Sequence, residues 1–93
     1  MTDEVVSAAQ AAQLGLRHIT ELTGREPSGV TSLEPSEDGW LVGVEVVEDR
    51  RLPSSIDLLG LYLAEIGADG ELLAYRRIRR YPRGKGGDNG EVG

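Results

Sequence analysis

The Asp69-Gly70 pair sits between two apolar-rich runs, Leu58–Ile66 and Leu72–Tyr81. Asp-Gly favours the tight turn whose twist matches two antiparallel strands, so this pair predicts a hairpin. Upstream, "WLVGVEVVE" at residues 40–48 alternates cleanly. Trp40, Val42, Val44 and Val46 fall on one face, and Leu41, Gly43, Glu45 and Val47 on the other. The first face is the predicted core. "SGVTSLEP" at 28–35 reads as a further short strand, and Pro35, which has no N–H to donate, favours an edge position. "SEDG" reads as the turn that follows it, and "DRRLPSSID" as a polar connecting loop.

Before the strands, Val5, Ala9, Ala12, Leu16 and Ile19 recur at helical spacing, and Leu22 extends the stripe. Thr2 or Asp3 can cap the start, and Gly24 with Pro27 beyond it stops the helix near Thr23. The small alanines predict close approach to a sheet. The expected fold is α+β: one N-terminal helix, 3–23, packed on a four-stranded antiparallel meander. Residues 1–83 form the single domain, and the glycine-rich segment 84–93 is expected to be a disordered tail. Ninety-three residues without phenylalanine leave a thin core, too thin for an enclosed pocket.

The sequence offers little chemistry. Cysteine is absent, which removes disulfides and thiolate metal sites. The single histidine, His18, lies beside the helical stripe with no partner group evident, and Ser54 and Ser55 occupy a loop with no nearby base. Glu45 and Glu48 are three apart on a strand and point to opposite faces. "GKGGDNG" lacks the spacing, strand and helix of a phosphate loop. The expectation is no enzyme, no metal and no cofactor. The acidic N-terminus lacks the pattern of a signal peptide, and no apolar run is long enough to span a bilayer, which predicts a cytoplasmic protein without membrane contact.

Charge is distributed unevenly. Residues 1–49 hold ten acids against two bases, a balance of −8, within a chain of net charge −6. Arg76, Arg77, Arg79, Arg80, Arg83 and Lys85 then crowd the end of the chain, interleaved with Tyr75 and Tyr81. Simple alternation puts Leu72, Ala74, Arg76, Ile78 and Arg80 on one side, and Leu73, Tyr75, Arg77, Arg79 and Tyr81 on the other. Three readings compete for this ribbon: a grip on nucleic acid, an ion-pair lattice with Glu45, Glu48 or Asp49, and a docking face for an acidic protein. The acidic first half weakens the field that phosphate binding needs, which argues against nucleic acid.

The third strand is apolar on both sides, with Leu59, Leu61 and Leu63 opposite Leu58, Tyr62, Ala64 and Ile66. One helix covers one face, so leucines face outward on the other. A second copy forming a homodimer, a different partner, or a loop or tail of the same chain would cover them. The expected partner-binding residues are therefore Leu61, Leu63, Tyr75, Arg76, Arg77, Arg79, Arg80 and Tyr81.

The series Trp40–Glu48, then Arg51-Leu52-Pro53, Asp57-Leu58-Leu59 and Tyr62, continued by Asp69–Leu72, Tyr75-Arg76-Arg77 and Arg79-Arg80-Tyr81, resembles the gas vesicle protein O family. The resemblance covers about residues 4 to 83. It implies a small cytoplasmic, non-enzymatic accessory protein for gas vesicle formation, associated with vesicles and binding other gas vesicle structural or accessory proteins as an adaptor or assembly factor. The alternative is a small regulatory protein that binds nucleic acid through its arginine-rich last strand. Family members usually carry Glu after the tyrosine, then a β-branched residue, and an acid ending the strand. Leu63, Ala64 and Gly67 stand there instead, so this strand surface is more apolar than is typical.

Overall fold

The computed structural model describes residues 5–83. The expected tail, 84–93, and the expected caps Thr2 and Asp3 lie outside the described residues. A single helix, α1 (Ala8–Thr23), precedes four strands, β1 (Glu26–Ser36), β2 (Gly39–Asp49), β3 (Leu58–Gly67) and β4 (Leu72–Pro82). The strands form one antiparallel sheet in the order β1-β2-β3-β4, the expected meander.

The helix starts later than the sequence reading placed it. Ser7 caps it by accepting from the Gln10 N–H at 3.1 Å, and Gln10 Oε1 accepts from the Ser7 N–H at 2.8 Å. Upstream, the Val6 N–H donates to Ala68 O at 2.9 Å, and Val6 O accepts from Trp40 Nε1 at 3.2 Å. Residue 6 is thus tied as extended chain to the turn after β3, and Val5 is exposed. At the other end Gly24 takes φ 67° and donates to Thr20 O, closing the helix where expected.

The buried line of α1 is Ala11, Gly15 and Ile19, displaced from the expected stripe; Ala9 and Leu22 are exposed. The closest approach is at Gly15, where a Cβ would fall 2.7 Å from Val42 Cγ1. The core is Ala11 and Ile19 against Val42, Val44, Val46, Ala64 and Ile66, all with no exposed surface, flanked by Leu16, Leu33, Trp40, Tyr62 and Leu72. The expected inward face of β2 is the inward face found.

β4 departs from simple alternation. Its register against β3 shifts twice, so that Leu73 and Ile78 are extra residues in β-bulges. Tyr75 pairs with Ala64, Arg77 with Tyr62 and Arg80 with Gly60, which puts all three on the helix-side face with Leu72. Ala74, Arg76, Arg79 and Tyr81 pair with Glu65, Leu63, Leu61 and Leu59, on the open face. The expected grouping of Arg77 with Arg79, and of Arg76 with Arg80, is therefore corrected: each bulge reverses which parity faces the helix.

Candidate interaction surface

The arginine ribbon is split between the two faces of the sheet, and the halves have different surroundings. On the helix-side face the sequence places Gly60 in the middle of an otherwise apolar strand. A glycine there marks a close approach. The approaching group is the Glu48 carboxylate: a Cβ on Gly60 would fall 2.2 Å from Glu48 Oε2. Glu48 is the extra residue of a bulge between the Val47–Leu59 and Asp49–Leu58 pairs, and its side chain is only 3% exposed.

A carboxylate this buried needs partners. Arg77 Nη1 donates at 3.0 and 3.3 Å to its two oxygens, Arg80 Nε lies 3.0 Å from Oε1, and the Tyr62 hydroxyl donates to Oε2 at 3.1 Å. Arg25, just past the helix cap, donates to the Glu48 carbonyl at 2.6 Å. Burial, and then the bond to Glu48, push the Tyr62 phenol above its ordinary pKa. This cluster joins β2, β3, β4 and the segment after α1, and it is the ion-pair lattice anticipated from sequence, centred on Glu48. The anticipated roles of Glu45 and Asp49 are corrected. Asp49 holds Arg51 at 2.9 Å, whereas Glu45 accepts from the Ser28 hydroxyl at 2.8 Å and from the Tyr81 hydroxyl.

A second buried carboxylate, Asp57, ties down the segment between β2 and β3. It accepts from the Arg51 N–H at 2.8 Å and from Arg83 Nη2 at 3.2 Å, with Arg50 Nη1 at 3.7 Å. The Arg51 amide, followed by Arg83 and Arg50, holds its pKa below the ordinary 3.8 against the opposing effect of burial. Ser54 and Ser55, expected in a loop, start an exposed 3-10 turn, Ser54–Ile56.

The open face runs in rows across three strands: Leu41–Glu65–Ala74, Gly43–Leu63–Arg76, Glu45–Leu61–Arg79 and Val47–Leu59–Tyr81. Leu59 and Val47 are buried, whereas Leu41, Leu61 and Leu63 are half-buried. A shallow groove is lined by Leu41, Leu63, Glu65, Ala74, Tyr75 and Arg76. The Arg79 guanidinium lies 5.0 Å from the centre of the Tyr81 ring, a cation–π contact that steadies it. Burial and the bond to Glu45 push the Tyr81 phenol up to about 12. Among the described residues, neither Arg76 nor Arg79 has an acidic partner within ion-pair distance.

Of the expected partner-binding residues, Leu61, Leu63, Arg76, Arg79 and Tyr81 thus share one face. Tyr75, Arg77 and Arg80 share the other, with the Tyr75 ring 6.4 Å from that of Tyr62. Sequence reading missed Gly60 as the seat of Glu48; the signal available was a glycine inside an apolar strand. Among the described residues no group of three or more His, Cys, Asp or Glu is placed to hold a metal ion, and no helix is long and apolar enough to cross a membrane.

The chain matches the family described as "Gas vesicle synthesis protein GvpO" over residues 1–87. It is 51% identical over 67 residues to Gas vesicle protein O of Streptomyces sp. strain CB03234, covering 72% of this chain and 52% of that protein. It is 34% identical over 77 residues to Gas vesicle protein O1 of Halobacterium salinarum, covering 83% and 59% of the two chains. Gas vesicle protein O of Haloferax mediterranei is 33% identical over 85 residues, 90% of this chain and 56% of the relative. The chain therefore spans between half and three-fifths of the length of these relatives. No solved structure matches it. With a match across nearly its whole length, the chain belongs to the gas vesicle synthesis protein GvpO family.

Proposed function

We propose that this chain is a non-enzymatic accessory protein for gas vesicle formation, an adaptor or assembly factor that docks gas vesicle structural or accessory proteins through the open-face half of its last strand. The observation that carries the reading is the placement of Arg76 and Arg79 beside half-buried Leu61 and Leu63, without acid partners among the described residues. Apolar surface supplies adhesion, and unneutralised guanidinium groups select an acidic partner. Family membership supports gas vesicle formation as the setting. On this reading the protein works in the cytoplasm, in association with gas vesicles.

The nucleic-acid reading is weaker. Arg77 and Arg80 are paired to Glu48 and Arg83 to Asp57, which leaves Arg76 and Arg79 as the unpaired arginines of the described part of the ribbon, against a net charge of −6. Tagged protein expressed in vesicle-forming cells tests the proposal. It should retain gas vesicle proteins at low salt and release them as salt screens the arginines, over a Debye length of about 8 Å at physiological ionic strength. Retention of oligonucleotides in place of gas vesicle proteins would favour the alternative.

A further inference from the structure

Among the described residues the sheet has two unpaired edges, β1 and β4, with opposite chemistry. β1 is blunted: Pro27 and Pro35 lack an N–H, and two register shifts break the strand between Pro27 and Ser32. β4 carries no proline before Pro82, and residues 73–80 are all exposed. Its pairing with β3 is regular over residues 74–77 and again over 79–82, on either side of the bulge at Ile78. Strand β4 therefore presents backbone donors and acceptors on the side away from β3, as an edge open to another strand.

Charge decides which strand can come. A second copy pairing β4 to β4 would bring two sets of Arg76, Arg77, Arg79 and Arg80 together, and like charges facing each other across strands destabilise the pair. The same charges favour an acidic strand. Arg77 and Arg80 already serve Glu48, so the selective pair is Arg76 and Arg79. The bulge makes these two consecutive on the open face, opposite Leu63 and Leu61, and so about 7 Å apart along the strand. Two acids at alternate positions of an incoming strand match that spacing.

We infer that the free edge of β4 takes an extended acidic segment of a partner protein as a fifth strand, with alternate acidic side chains meeting Arg76 and Arg79. This rests on the docking role proposed above and specifies its mode, backbone pairing with charge selection.

Three eight-residue probes test it on the full chain: a peptide alternating Glu and Thr, the same peptide with Gln for Glu, and the Glu peptide N-methylated along its backbone. The first should bind and slow amide exchange within residues 74–80. The other two should bind about tenfold more weakly or worse, one lacking charge and one lacking ladder donors. The double variant Arg76→Glu/Arg79→Glu should lose the first probe equally while staying folded, its melting temperature within about 5 °C of the unaltered chain's. Equal binding of the N-methylated probe without protection of β4 would reduce the site to charge docking and overturn strand addition. Equal binding of the Gln probe would overturn the charge selection. Exchange protection of β4 in the protein alone, rising with its concentration, would give the edge to a second copy. If gas vesicle proteins are retained while β4 gains no protection beyond that of its pairing with β3, the docking proposal stands and strand addition falls; if none is retained, the docking proposal itself falls.

Discussion

Gly60 lies directly against the Glu48 carboxylate, and a Cβ at residue 60 would come within 2.2 Å of Oε2. The missing side chain on β3 makes room for a buried acid from β2, which then gathers Tyr62, Arg77 and Arg80. Gly60→Ala should displace that acid from its partners at a cost of about 2–4 kcal/mol, lowering the melting temperature by roughly 10 °C or more. On a Glu48→Ala background the same change should cost under about 0.5 kcal/mol, because the two residues act through one contact. Urea melts of the four proteins in this cycle check both values.

Gly15 gives a second test with an unusual sign. Gly to Ala within a helix ordinarily stabilises by about 1 kcal/mol. Here the methyl would stand 2.7 Å from Val42 Cγ1 in a core with no exposed surface. Gly15→Ala should instead destabilise by about 1–2 kcal/mol, through overpacking. In a Val42→Ala background it should become neutral or stabilising, as thermal melts would show.

Asp57 makes the fold sensitive to acid. Its folded-state pKa lies below the ordinary 3.8, chiefly because the Arg51 amide donates to it. A depressed carboxylate contributes stability that is complete above the unfolded value and is lost as pH falls through the folded one. Asp57→Asn should therefore destabilise at neutral pH, and the gap to the unaltered chain should narrow below about pH 4. Urea melts across that range measure the gap.

Tyr81 acts at the opposite end of the scale. Its phenol, raised to about 12 by burial and by Glu45, stabilises the fold while neutral. That contribution is present below the unfolded value near 10 and is lost as pH climbs through about 12. Tyr81→Phe should remove a late phenolate transition from the ultraviolet titration.

The meander was legible in the sequence because its signals are local. Asp69-Gly70 makes the turn, with Gly70 at φ 92°, and the alternation of β2 from Trp40 to Val46 names the core face directly. The helix start was legible too, in Ser7 and Gln10 three apart, but the acids at Asp3 and Glu4 drew the boundary outward. The faces of β4 were not legible, because the bulges at Leu73 and Ile78 are set by pairing with β3 and leave no mark on the alternation. The Glu48 cluster was anticipated only as one of several pairings. Its parts lie on three strands, and only their register brings Gly60, Tyr62, Arg77 and Arg80 beneath one carboxylate.

The most direct measurement compares two double variants of the same strand for melting temperature and for retention of gas vesicle proteins from vesicle-forming cells. Arg77→Ala/Arg80→Ala should lower the melting temperature, since it leaves Glu48 buried with Tyr62 as its remaining side-chain donor, and should keep retention wherever the domain is still folded. Arg76→Glu/Arg79→Glu should shift the melting temperature by no more than about 5 °C, the weight of the exposed Arg79–Tyr81 contact, and abolish retention. Full retention by the second variant, or a loss of retention that merely follows unfolding in both, would contradict the division of this strand into a structural half and a docking half.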